Sequence, residues 1–152
     1  MTRVDLRIAR EPRGPQLRAL LEVGLDYCDR FLVALTDMKR SQRAEELLAS
    51  LEPFLIERRE TNEYPAGSVP WCTITVSTYR LNRASLELLL AATDRLFDWL
   101  EPELPNDLCL LRGDEAWLIT MASDRVALLA LDGPERLDVS QRIPGLRLAP
   151  VT

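Results

Sequence analysis

A chain of 152 residues, 47% hydrophobic and 28% charged, suits one domain with its own core and needs neither disulfides nor metal to hold it. It contains no histidine, which removes the usual general base near neutral pH, the commonest metal ligand and the middle member of Ser-His-Asp and Cys-His sites. The net charge of -5 opposes binding to a nucleic-acid backbone, and no apolar run approaches the roughly 20 residues of a membrane helix.

Along the chain, Val4, Leu6 and Ile8 alternate as a short edge strand. Met1–Leu6 lacks the apolar stretch of a signal peptide, so a cytoplasmic location is expected. Pro15 suits the first turn of a helix whose apolar face is Leu17, Leu20 and Leu21, with Gly24 as its terminator. Residues 25–36 fit either a continued helix or a strand; a strand near Tyr27–Thr36 is the favoured reading. Ser41 caps a second helix that ends at Pro53. Phe54–Glu63 and Trp71–Leu81 read as a hairpin around Tyr64-Pro65-Ala66-Gly67.

Asn82 begins the strongest helical pattern, Arg83–Glu101, with Pro102 as its stop and Leu86, Leu89, Leu90, Thr93, Phe97 and Leu100 as its core stripe. Three short strands follow, Leu108–Arg112, Ala116–Ala122 and Arg125–Leu131, joined at Gly113-Asp114 and Ser123-Asp124. The tail, Gly133–Thr152, reads as irregular, with room for one weak helical turn before a Pro-Gly-rich coil. The whole is a single α+β domain with a largely antiparallel sheet and helices packed on one face. Its core should include Ile74, Val76, Leu86, Leu89, Leu90, Phe97, Leu118 and Leu128.

The segment Leu104-Pro105-Asn106-Asp107-Leu108-Cys109, continued by Trp117-Leu118, resembles a stretch in uncharacterised small bacterial α+β proteins. The resemblance implies a small α+β bacterial protein and carries no activity. It also implies a His-Glu pair soon after the Trp-containing strand, where this chain has Ser123-Asp124.

Cys28, Cys72 and Cys109 are far apart and form no C-x-x-C pair, so they read as free thiols, and neither metal nor cofactor is expected. There is no P-loop, no Gly-rich nucleotide fingerprint and no G-x-S-x-G elbow. Arg58-Arg59 beside Trp71 reads as a solvated strand edge, with the two arginines on opposite faces.

The distribution of charge is more informative. Residues 91–115 carry seven carboxylates and two arginines, so the entire net charge sits in that window. On a helix, Glu87, Asp94, Asp98 and Glu101 form one stripe, with Trp99 off both this stripe and the core stripe. Carboxylates at a helix C-terminus and a Trp off the core both break local rules, which tends to mark functional sites. Asp94, Asp98, Trp99 and Glu101, with Asp107 just beyond, are therefore the candidate partner-binding residues. The expected function is a non-enzymatic binding protein that presents this acidic surface to a basic protein partner, as a bacterial immunity protein or antitoxin does. The alternative is a small enzyme or small-ligand binder using carboxylates and arginine, such as Arg95 or Arg112, in a pocket between sheet and helix.

Overall fold

The computed structural model describes residues 2–151. After β1 (Val4–Ile8), helix α1 (Pro15–Tyr27) starts at Pro15, whose fixed φ suits the first turn. It does not stop at Gly24, as the sequence suggests, but runs three residues further. Gly24 serves close packing instead: a Cβ there would lie 2.5 Å from Leu110 Cδ1 and 3.1 Å from the Trp117 ring. Strand β2 (Arg30–Leu35) follows, and five of its six residues are buried. It lies against structure on both faces, so it reads as a continuous apolar run without the alternation that would separate strand from helix.

Helix α2 (Gln42–Leu51) is capped by Ser41, whose Oγ accepts from Ala44 N at 3.1 Å. Strand β3 (Leu55–Thr61) pairs with β6 (Ile74–Arg80), the two arms expected of a hairpin. A smaller hairpin of β4 (Glu63–Tyr64) and β5 (Gly67–Ser68) interrupts their connection. Helix α3 (Arg83–Ala92) opens with a reciprocal cap, Asn82 Oδ1 accepting from Ser85 N and Ser85 Oγ from Asn82 N. Strands β7 (Asn106–Arg112), β8 (Glu115–Met121) and β9 (Val126–Leu131) form the expected antiparallel run.

The tail corrects the sequence reading. Gly133–Arg142 is a helix, α4, opened by an Asp132/Glu135 capping box with Pro134 in its first turn. Leu148–Pro150 is an edge strand, β10, paired with β1. The cue was present: Asp132-Gly133-Pro134-Glu135 has a capping residue, a first-turn proline and an acidic residue at the third helical position. Thr152 lies outside the described residues.

One eight-stranded antiparallel sheet, in the order β10-β1-β9-β8-β7-β2-β6-β3, carries the fold, which is α+β as read from the sequence. The larger core lies on one face. It joins Leu17, Leu20 and Leu21 of α1, Leu86 and Leu89 of α3 and Val139 of α4 to Phe31, Leu110, Trp117 and Leu129 of the sheet. The other face buries a smaller cluster, Leu32, Ala34, Ile74, Val76, Cys109 and Leu111, under Tyr64 and Ala66 of the β4–β5 hairpin. Of the expected core residues, Ile74, Val76, Leu86, Leu89, Phe97 and Leu118 are buried; Leu90 and Leu128 are only partly so. Among the described residues no helix is long and apolar enough to cross a membrane.

Candidate functional site: the segment after α3

Helix α3 ends at Ala92, nine residues before Glu101, and this changes the candidate site more than any other finding. Thr93 is extended, with φ -162 and ψ 158. Its hydroxyl donates to Asp98 Oδ2 at 2.6 Å and accepts from Arg95 N at 3.2 Å, contacts that a helix would not permit. Arg43 caps the abandoned helix end by donating to the Ala92 carbonyl. The following backbone is tied to the start of the chain. Gly14 N donates to Asp94 O at 2.7 Å, Phe97 N to Glu11 Oε2 at 2.7 Å and Leu96 N to Pro12 O at 3.3 Å.

The apolar pattern supplies the energetic reason. A continued helix would bury Phe97 and leave Leu96 and Trp99 facing elsewhere. The looped path, with a short 3-10 turn at Leu96–Asp98, buries all three; Leu96 and Trp99 are 0% exposed. Burying Leu96 and Trp99 is worth about 1.5–3 kcal/mol each, and the bonds to Glu11, Pro12 and Gly14 replace part of the helical hydrogen bonding that is lost. The two broken local rules thus have a structural cause. The carboxylates do not crowd a helix C-terminus, because the helix has already ended, and Trp99 is a core residue.

The five candidate residues consequently divide. Asp94 and Asp98 are exposed, whereas Trp99, Glu101 and Asp107 are buried. The Glu101 side chain, 2% exposed, is consumed by four donors: Thr36 N (3.2 Å), Thr36 Oγ1 (2.6 Å), Arg40 Nη1 (3.0 Å) and Asn106 Nδ2 (2.8 Å). Its own amide donates to Asn106 Oδ1 at 2.8 Å. Ser41 N donates to Pro102 O at 2.9 Å and so fastens the loop to the cap of α2. Asp107 accepts from Tyr64 OH at 2.5 Å and from Ala122 N at 2.9 Å, pinning the β4–β5 hairpin to the sheet. Burial pushes its carboxyl above the ordinary range, against the lowering effect of those two bonds. It also has φ 61, which an Asp tolerates better than most residues.

What reaches solvent is a concavity of ≈ 380 Å³ formed by Arg43, Phe97, Asp98, Leu100, Pro102 and Glu103, with Glu101 at its base. Leu100 is 38% exposed there, among the few large apolar side chains left open to water. Asp98 and Glu103 are the outward carboxylates and Arg43 the outward cation. Asp94 lies in a neighbouring cleft of ≈ 270 Å³ between α1 and α3, with Arg18, Leu17 and Leu90. Leu100 and Glu103 were missed as candidates because a helical phase puts Leu100 in the core and stops before Glu103.

Arginine and carboxylate do meet elsewhere. Arg112 donates to Glu135, which also accepts from Arg3 Nε at 3.4 Å. The Arg112 contact holds the Glu135 carboxyl down to about 2. Among the described residues Arg95 forms no salt bridge, and Asp98 accepts from the Thr93 hydroxyl. Two concavities bring two arginines and two carboxylates together: one of ≈ 490 Å³ between α2 and the sheet, with Arg40, Glu45, Glu52 and Arg58 around Leu35 and Leu48, and one on the second sheet face. There Arg30, Arg59, Glu57 and Asp114 surround Leu32, Thr78 and Leu111 in a volume of ≈ 350 Å³. Among the described residues no three acidic or thiol side chains gather as a metal-ligand set. Cys28 and Cys109 are buried, and loss of solvent pushes each thiol up to about 12; Cys72 is exposed.

No family model matches this chain, and neither the curated proteins nor the solved structures contain a match to it.

Proposed function

We propose that the chain is a non-enzymatic binding protein whose contact surface is the loop after α3, centred on Leu100 and flanked by Asp98 and Glu103. The observation that carries this reading is an exposed apolar side chain on a rigidly supported concave loop. Trp99, Leu96 and Leu104 anchor the loop from below, and the Glu101 network fixes its turn. A preorganised loop loses little entropy when a partner docks, so its apolar centre contributes more to affinity. Asp98 and Glu103 suit a basic partner, with Arg43 narrowing the choice to one that places an acidic or neutral group beside it. An immunity- or antitoxin-like role is one instance of such chemistry. The large carboxylates with unusual surroundings, Glu101, Asp107 and Glu135, are saturated by internal donors, which supports a structural use for them.

The test places a photo-reactive residue at position 100 and, as a control, at the exposed position 137 on α4. Irradiation in native extract should join position 100, and not 137, to a basic protein. Asp98→Asn with Glu103→Gln should abolish that adduct. Equal labelling from both positions, or an adduct indifferent to the acidic pair, would contradict the reading.

A small-ligand reading is favoured by the second-face concavity, where two arginines and two carboxylates surround an apolar floor. Such a site suits a zwitterion with an apolar side chain. Thermal-shift titration with apolar amino acids, compared with Arg59→Ala, tests it directly: a saturable shift that the substitution removes would support it, and no shift would refute it.

A further inference from the structure

We infer that the β3 edge joins two copies of this chain into a dimer by antiparallel strand pairing. β3 ends the sheet order, and five of its seven residues are exposed. Leu55 N donates to the Glu52 carbonyl; over Ile56–Thr61 no backbone hydrogen bond is made outside the ladder with β6, so the outward N–H and C=O groups there have no protein partner. The opposite edge is different: β10 has three residues and ends in Pro150, which has no N–H to offer.

Open edges are usually guarded by charged side chains, lysine above all, by proline or by bulges; charges of one sign repel a second copy, whereas mixed charges do not. This edge carries Glu57-Arg58-Arg59-Glu60, two of each sign, and the chain's single lysine, Lys39, is not on it. Such an edge does not repel a copy of itself, and its charges select a register. In an antiparallel pair, opposite residues share a face, so a two-fold axis must fall at a residue and not between two. Glu57, Arg59 and Thr61 share the second face; Arg58 and Glu60 share the helix-covered face.

An axis at Arg58 pairs Glu57, Arg58 and Arg59 with the same three residues of the second copy; the bulge between Leu55 and Glu57 lies outside that run. It sets Glu57 opposite Arg59 of the second copy, twice by symmetry. The one like-charged pair is Arg58 with its own counterpart, and each Arg58 guanidinium is already held by both carboxylate oxygens of Glu52. An axis at Arg59 also gives two opposite-charge pairs, Arg58 with Glu60, but its central pair is worse: Arg59 has no salt bridge among the described residues, so two unneutralised guanidinium groups would meet. The favoured register extends the sheet through the dimer and keeps the helices of both copies on one face.

The experiment is sedimentation velocity on the full chain across a concentration series, with circular dichroism to verify folding of each variant. Wild type should form a dimer at micromolar concentration. Glu57→Arg or Arg59→Glu alone sets like charges opposite each other twice, and each should weaken the dimer at least ~10-fold. The double variant Glu57→Arg with Arg59→Glu restores the pairing and should return the dissociation constant to within ~3-fold of wild type. Three outcomes would overturn the inference: a wild-type chain monomeric up to ~100 µM, single reversals that leave the dimer intact, or a double reversal that fails to restore it.

Discussion

Replacing Glu101 separates the structural account from one in which every acidic residue of the segment faces a partner. On a helix, Glu101 would be a solvated contact residue, and its neutralisation would leave stability unchanged or slightly improved. In the structure its side chain is 2% exposed and receives four donors from Thr36, Arg40 and Asn106. Glu101→Ala leaves the Arg40 charge, 19% exposed, without its principal partner, and the Thr36 amide and Asn106 amide without acceptors. Breaking a buried pair costs about 3–5 kcal/mol. Arg40 keeps Glu45 and the Thr36 carbonyl, which places the loss near ~3 kcal/mol. For a chain of this size that lowers the melting temperature by about 6–12 °C. Glu101→Gln preserves shape but turns an amide toward the Arg40 and Asn106 donors, and should cost ~1.5–3 kcal/mol. Urea unfolding followed by tryptophan fluorescence measures both. A loss below ~0.5 kcal/mol, the range of ordinary surface changes, would refute the network and return Glu101 to the surface.

Gly24→Ala should destabilise the fold despite alanine's better helix propensity of ~1 kcal/mol, because the added methyl must displace Leu110 against Trp117; overpacking of ~1–3 kcal/mol is expected, and an unchanged unfolding midpoint would mean that α1 does not approach the sheet that closely. Glu135 titrates at about 2 in the folded chain, below its ordinary value, so it contributes stability above the unfolded value that is lost as pH falls toward 2. Glu135→Gln should therefore be less stable than wild type by ~1–2 kcal/mol at pH 7, after allowance for solvent screening, and the gap should close between pH 4.5 and about 2; a gap independent of pH would contradict the Arg112 pairing. Of the three thiols, only Cys72 should react with a thiol reagent in the native state, with Cys28 and Cys109 following on unfolding; three fast thiols would contradict both buried environments.

The β-rich architecture was legible because its strands announce themselves through β-branched residues and turns, as in Ile74-Thr75-Val76-Ser77-Thr78-Tyr79 and at Gly113-Asp114. β2 was harder, since a strand covered on both faces has no period to read. The tail was misread because a mean-polar helix with few apolar residues gives little periodic signal, although its cap was visible at Asp132 and Glu135. The exposure of the candidate residues was not legible in the sequence. Charge and tryptophan drew attention to residues 91–115, where the two broken helix rules have one cause: α3 ends at Ala92. Side-chain competition from Thr93 and Asp98, and the need to bury Leu96 and Trp99 together, are tertiary effects that helical periodicity does not encode. Nothing in the sequence distinguishes exposed Asp98 from buried Glu101; only the distant Thr36 and Arg40 do so.

The central claim, a basic partner docking on the Leu100 loop, is tested most directly by the salt dependence of association with the protein cross-linked at position 100. The account gives an association rate for wild type that falls steeply with ionic strength, and a shallower slope for Asp98→Asn with Glu103→Gln. Leu100→Ala should chiefly raise the dissociation rate. Parallel salt slopes for wild type and the Asp98, Glu103 variant, with a dissociation rate indifferent to Leu100→Ala, would contradict the claim.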